Sequence, residues 1–291
     1  MIKIDKAHKD FIDNLGKNGK SSATLIAYNK DIEQLTNHLA KEGIELVSQI
    51  ELKHLEDFMQ KLAKENYTPK SVSRKTNATK TFFKYLHTLG HIKENIADFL
   101  KHPKVDLKAP RILSRLEYRA LRDATRDDAR SYAMVEVLLQ TGITISELAD
   151  MKMEELKIEA ETGNLFVPKK NNKDARNIPL NKAAVEAINR YLATDRPKLD
   201  NAKHVFITKT GKPLLVRNIR STVNRYFKIA GVENAKVNDL RHTFVAHHLA
   251  AGVSIIHISK IAGHKRISTT ERYLEYIEKV TTEEKTDLGV L

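Results

Sequence analysis

Two prolines in a basic stretch, Pro103 and Pro110 within "NIADFLKHPKVDLKAPRIL", constrain this chain more than any other feature. Proline has no amide hydrogen for a helix interior and its ring collides with the preceding turn, so helices end on either side of such a segment. A chain of 291 residues also exceeds what a single hydrophobic core usually organises. Residues 103–112 therefore read as a linker between a domain at 1–102 and a second at 113–291.

The first domain reads as helices throughout. In "SSATLIAYNKDIEQLTNHLAKEG", Leu25, Tyr28, Ile32, Leu35 and Leu39 recur at helical spacing, with a Ser or Thr available as the cap and Gly43 as the stop. "ELKHLEDFMQKLAKE" repeats the pattern through Leu52, Leu55, Phe58, Met59 and Leu62. A third stripe runs through Val72, Phe82, Phe83 and Leu86 to Gly90. The spacing predicts a small helical bundle.

The second domain opens with Ser114 and Glu117 in capping-box spacing, and an apolar helix, "ARSYAMVEVLLQTG", follows. The period then changes. Leu165 to Val167, then Asn177 and Ile178, read as short strands, with turns expected at Gly163–Asn164 and around Asn171–Asn172. This predicts a small antiparallel sheet. Helical patterns resume at "NKAAVEAINRYLA" and continue to "STTERYLEYIEKV", so the fold class is mainly α with a small β-sheet.

Charge narrows the partner. Fifty Lys and Arg against 37 Asp and Glu give a net charge of +13, a field that attracts a polyanion and releases its condensed counterions. Between Lys61 and Lys84 seven basic residues face one acid, Glu65, with Thr68, Ser71, Ser73, Asn77 and Thr79 interleaved. That mixture suits phosphate contacts along a helix, with Lys70, Arg74, Lys75, Asn77 and Lys80 as candidate contacts. The other reading is a solvated basic face. The chain has no Cys, which excludes disulfides, thiolate metal sites and a Cys nucleophile and fits a cytoplasmic location. No apolar run approaches the length of a membrane span, and "MIKIDKAHKDFIDNL" has no secretory h-region.

Near the end, "NDLRHTFVAHHL" sets Arg241 and His242 close to a helix start, where an anion is favoured. "GHKRISTTERY" adds His264 after a glycine turn and Tyr273 on what reads as the next helix. A Tyr hydroxyl beside Arg and His can attack a phosphodiester while the cations stabilise the transition state. On pattern alone, such a Tyr is more commonly a packed helix aromatic, and such a His a loop or capping residue.

These two stretches resemble the tyrosine recombinases, or phage integrases, including the Xer-type resolvases. "TGITISELADMKMEEL" is similar to that family's first catalytic box, "KKNNKDARNIPL" to its β-hairpin, and "SSATLIAYNKDIEQL…SVSRKTNATKTFFKYLHTLGHIKENIADFLKHPK" to its SAM-like core-binding domain. The resemblance covers nearly the whole chain in order. It implies a helical core-binding domain followed by a catalytic domain of the DNA breaking-rejoining fold, the two clamping duplex DNA. The chemistry it implies needs neither ATP nor a metal, because a covalent phosphotyrosine link conserves bond energy.

In that family two Arg hold the scissile phosphate, a Lys and two His or a His and a Trp assist, and a Tyr attacks. By resemblance Arg241 is the second Arg, His264 the third-box His and Tyr273 the nucleophile. The hairpin Lys is Lys170, with Lys173 next and Lys169 also flanking a turn lengthened by one residue. Lys173 and Arg176 are further candidate DNA contacts. Two positions depart. The first-box Arg is replaced by Thr144 and the second-box His by Asn238, whose amide can still donate to a phosphate oxygen. Thr144 cannot supply a bidentate guanidinium, and losing one preorganised donor costs about 3–4 kcal/mol, roughly a hundred- to a thousandfold in rate. Lys152 is near enough in sequence to refill the site.

Two functions follow from the resemblance. One is strand breakage and rejoining with impaired or atypical catalysis, by a recombinase or integrase of a mobile element or by a relaxase-like nicking protein of plasmid conjugation. The other is an inactive DNA-binding regulator or architectural accessory. In that family a tail like the one ending here in Leu288, Val290 and Leu291 often docks on a neighbouring protomer, which implies self-association on DNA; packing on its own domain, or disorder, is the other reading.

Overall fold

A computed structural model describes residues 1–105, 109–170, 173–199 and 201–277. The chain forms two compact units, Met1–Lys108 and Ala109–Leu291. Residues 103–105 and 109–112 carry neither helix nor strand.

The first unit contains α1 (Ile4–Lys17), α2 (Ser22–Lys41), α3 (Leu52–Lys64) and α4 (Pro69–Thr88). Ile4, Ala7, Phe11 and Leu15 face inward from α1, a helix whose individual span the sequence reading did not mark. Ser21 and Thr68 cap α2 and α4 by accepting amide hydrogens three residues on, and Pro69 occupies the first turn of α4, where a missing amide hydrogen costs nothing. The core is the expected one: Ile32, Leu35, Leu39, Leu55, Phe82, Phe83 and Leu86 are fully buried. Phe11 joins it with its ring centroid 5.2 Å from that of Phe82.

The second unit begins by docking on its own later helix: the Leu113 amide donates to Thr243 Oγ1 at 2.8 Å. Its helices are α5 (Arg115–Thr125), α6 (Ala129–Thr141), α7 (Ile145–Asp150), α8 (Lys182–Thr194), α9 (Val216–Ile229), α10 (Val237–Ala250), α11 (Ile255–Ala262) and α12 (Ser268–Glu271). The capping box at Ser114 and Glu117 is formed as expected. Helix α6 is apolar nearly all round and runs through the core, with Ala133, Met134, Val135, Val137 and Leu138 buried. Its fully buried Glu136 is matched by the Arg122 guanidinium and by Gln140 at 3.1 Å.

Three antiparallel strands, β1 (Leu156–Glu159), β2 (Thr162–Val167) and β3 (Arg176–Leu180), form one sheet in the order β1-β2-β3. The expected turn at Gly163–Asn164 is not one. Both residues lie inside β2, paired with Ile158 and Lys157, and the chain turns at residues 160–161 instead. Glycine is required at 163 by close approach: a Cβ there would fall 2.7 Å from the Lys157 carbonyl oxygen. The other expected turn, at Asn171–Asn172, lies outside the described residues. A second correction concerns Tyr273. Helix α12 ends at Glu271, so Tyr273 sits in the turn beyond it, with its amide bonded to the Thr270 carbonyl at 3.0 Å.

Candidate active site

The end of α6 sets the position of Arg241. Gly142 closes that helix with φ of 63°, where a side chain would be strained, and a Cβ there would lie 2.3 Å from the Phe244 ring. The backbone can therefore approach α10, and the Gly142 carbonyl accepts Arg241 Nη1 at 2.6 Å. Arg241 is 8% exposed; burial works against its charge, while the fields of Glu147 and Tyr273 favour it.

Thr144 caps α7. Its hydroxyl accepts the Glu147 amide at 3.3 Å, and its own amide donates to Glu147 Oε2 at 2.7 Å. The other carboxylate oxygen of Glu147, Oε1, pairs with Arg176 at 3.0 Å and Lys173 at 3.3 Å. Burial pushes the Glu147 pKa up, but the bonds from Arg176 and the Thr144 amide, with the charges of Arg176 and Lys173, hold it at about 2. Arg176 also donates Nε to the Ile261 carbonyl at 2.7 Å, and Gly263 leaves room for its guanidinium, since a Cβ there would fall 2.8 Å from Cζ. Strand β3 is thus tied to the C-terminus of α11, just before His264.

His264 Nδ1 is bonded to Thr270 Oγ1 at 2.7 Å, and its ring lies nearly parallel to that of Tyr273 with centroids 6.4 Å apart. Burial first, then the charges of Arg241 and Lys173, push its pKa down to about 4, so the ring is neutral at pH 7. Tyr273 is 5% exposed, and burial raises its pKa against the opposing fields of Arg241 and Arg272. Its hydroxyl lies 2.5 Å from His242 Nδ1, and His242 Nε2 lies 2.7 Å from the Asn238 amide nitrogen.

Arg241, His264 and Tyr273 therefore converge on one site, as do Lys173 and Arg176. Lys170 and Lys173 both reach α7, pairing with Asp150 at 2.5 Å and Glu147 at 3.3 Å, but of the two it is Lys173 that also lines a cavity of about 680 Å³ together with Arg176 and His264. The two lysines face each other across the hairpin in a backbone bridge. Asn238 is turned toward His242, and beside it a cavity of about 420 Å³ is lined by Arg220, Lys236 and Arg241. Lys152 pairs with Glu154 at 3.4 Å and does not refill the place of the missing guanidinium. His242 was legible only as a basic residue near a helix start, although its spacing of four from Asn238 predicts that the two side chains meet.

In the first unit Lys70, Arg74 and Asn77 are exposed on α4. Lys75 is not. It is 3% exposed, with its ammonium 2.8 Å from Asp31 and 2.5 Å from Gln34, because it falls on the stripe that α4 turns toward the core. Arg74 also reaches Asp31, and Lys80 donates to the Asp98 carbonyl at 3.2 Å.

The model of the phage integrase family matches residues 110–279, and that of the phage integrase N-terminal SAM-like domain matches residues 9–90. The chain belongs to the phage integrase family. This integrase-family chain is 33% identical over 259 residues to a tyrosine recombinase XerC of Staphylococcus saprophyticus, covering 87% of itself and 86% of that protein. It is 32% identical over 288 residues to a tyrosine recombinase XerC of Natranaerobius thermophilus, covering 94% and 95%. Its fold is that of a lambda integrase fragment solved as a dimer bound to a COC′ core site, with a TM-score of 0.75 at 17% identity over 92% of this chain and 97% of the other. The architecture of the integrase-family chain is accordingly a SAM-like helical domain followed by the catalytic domain, mainly α with one small sheet.

Proposed function

We propose that this protein breaks and rejoins DNA strands in recombination through a covalent link between Tyr273 and a DNA phosphate. The observation that carries the proposal is the convergence of Tyr273, Arg241 and His264 in a chain of the phage integrase family. Arg241 holds the phosphate, neutral His264 donates a hydrogen bond to it, and a hairpin lysine protonates the leaving 5′-oxygen. Lys173 fits that task by its place beside His264, and Lys170 is the alternative by sequence register. No metal or nucleotide enters this scheme.

The reaction is slow relative to a site with two guanidiniums. Thr144 spends its hydroxyl and amide on the α7 cap, so one charged clamp is missing, a deficit of about a hundred- to a thousandfold. Strand nicking and rejoining, which needs no synapsis, tolerates such a deficit better than full recombination does. The exposed Lys70, Arg74 and Asn77 contact phosphates of double-stranded DNA, and the protein self-associates there. The C-terminal tail assigned to that contact lies outside the described residues.

A second reading has its own observation, the same occupied Thr144 side chain: a DNA-binding regulator that kept the fold and lost the chemistry. Introducing the guanidinium separates the two. Thr144→Arg is expected to raise covalent adduct formation at least tenfold on a nicked duplex, at a cost of about 1 kcal/mol from the lost cap. If neither the parent nor Thr144→Arg forms an adduct on any duplex that the protein selects from random DNA, the regulator reading stands.

A further inference from the structure

We infer that His242 is the base that takes the Tyr273 phenol proton during cleavage and returns it during rejoining, with Asn238 fixing the imidazole's tautomer. The inference rests on the strand-cleavage reading and adds a residue to it. Nothing in the first-box departure supplies a base, and His264 is committed through Nδ1 to Thr270.

The geometry is a three-member chain. Asn238 and His242 stand four residues apart on α10, with the amide nitrogen Nδ2 placed 2.7 Å from Nε2, and Nδ1 lies 2.5 Å from the phenol oxygen. An amide presents a donor at one end and an acceptor at the other, and half a turn exchanges them. With Oδ1 toward Nε2–H, the Nδ1 lone pair is left to accept the phenol proton. This is the arrangement by which a carboxylate or amide orients a histidine toward a nucleophile. With Nδ2 toward Nε2, the orientation shown, the same ring donates through Nδ1 to the phenol oxygen; the amide's half turn therefore sets the tautomer and switches the ring from holding the phenol to accepting its proton.

The step balances. The phenol proton moves to Nδ1, the phenol oxygen forms the bond to phosphorus, the bond from phosphorus to the 5′-oxygen breaks, and that oxygen leaves with the lysine's proton. Rejoining runs in reverse, and the imidazolium returns its proton to the departing phenol oxygen. Burial lowers the His242 pKa, with Asp239 opposing and Arg241 reinforcing, so the ring is neutral at pH 7. The groups facing it are Asn238, Asp239 and Arg241 on α10, Tyr273 beyond α12, and His264 in the preceding loop. Burial raises the Tyr273 pKa, which makes the phenol dependent on such a base.

The test measures covalent adduct formation on a nicked duplex of the sequence the protein selects from random DNA, with an ordinary or a sulfur-substituted 5′-leaving group. His242→Ala is expected to slow adduct formation by about 10²- to 10⁴-fold, the usual span for a lost general base. The loss persists with the sulfur leaving group, which needs no proton, and added imidazole restores part of the rate. Asn238→Asp moves the acidic limb of the pH–rate profile to higher pH, because a carboxylate stabilises the imidazolium. His242→Gln, which keeps a polar contact to the phenol, is as slow as the Ala variant. Rates for His242→Ala within a few-fold of the parent, or above it, overturn the inference; the latter would make the contact a latch on Tyr273. Cure of the deficit by the sulfur leaving group overturns it too. If the unsubstituted protein forms no adduct, the strand-cleavage reading fails and takes the inference with it.

Discussion

At the scale of single residues, the site is built from groups whose charge states are set by burial and by each other. Glu147 is held ionised by two cations and an amide, and His264 is held neutral by burial among cations. Both make stability depend on pH with the same sign. The unfolded chain protonates a histidine below about 6.5, while folded His264 resists until about 4, so its contribution is complete above pH 6.5 and is lost as pH falls toward 4. The size is about 3 kcal/mol, from 1.36 kcal/mol per pKa unit. Glu147 adds a similar loss lower down, from pH 4.5 toward 2. Denaturant titrations at steps from pH 8 to pH 4 should show stability falling below 6.5, with a shallower fall in His264→Asn. An identical slope in that variant would show that other groups, such as His242 or His8, carry the pH dependence.

At the scale of elements, two packing contacts decide what the site and the basic face can do. The end of α6 must come close enough to α10 for the Gly142 carbonyl to hold Arg241, and Gly142→Ala drives a methyl group into the Phe244 ring at a positive φ. That variant is expected to lose about 2–4 kcal/mol of stability and to displace Arg241, read as a lower melting temperature together with slower adduct formation. Helix α4 divides by its own periodicity: Lys70, Arg74 and Asn77 outward, Lys75 inward over Asp31. Lys70→Ala should reduce the slope of log affinity against log salt by about one unit without affecting stability. Lys75→Ala leaves Asp31 with the half-exposed Arg74 as its one remaining cation and should cost about 1–3 kcal/mol while leaving that slope unchanged in the folded protein. A salt slope that responds to Lys75 and not to Lys70 would reverse this assignment. The helices themselves were legible because apolar residues at helical spacing, with Ser, Thr and Gly at the ends, leave one solution. The inward turn of Lys75 was not, because its partner Asp31 lies 44 residues away in sequence.

At the scale of the whole molecule, the order of the boxes along the chain was enough to indicate the family, and the converging Arg241, His264 and Tyr273 follow from it. What sequence order does not carry is contact across the fold. Tyr273 meets His242 over a separation of 31 residues, and Arg176 reaches the end of α11 over 85. The choice between Lys170 and Lys173, which face each other in a backbone bridge, turns on which ammonium lies beside His264, a matter that spacing alone left open. Thr144 is the reverse case: its loss of charge is plain in the sequence, but its use as a cap for α7 appears only when Glu147 is seen bonded to it. Every step of this chemistry requires that Tyr273 attack DNA. The most direct measurement incubates the protein and its Tyr273→Phe variant with labelled duplexes of the selected site, each carrying one nick moved a nucleotide at a time, and separates them under denaturing conditions. The parent is expected to give a protein–DNA adduct that survives denaturation at one nick position, and Tyr273→Phe is expected to give none. No adduct at any position, or an equal adduct in Tyr273→Phe, would contradict it.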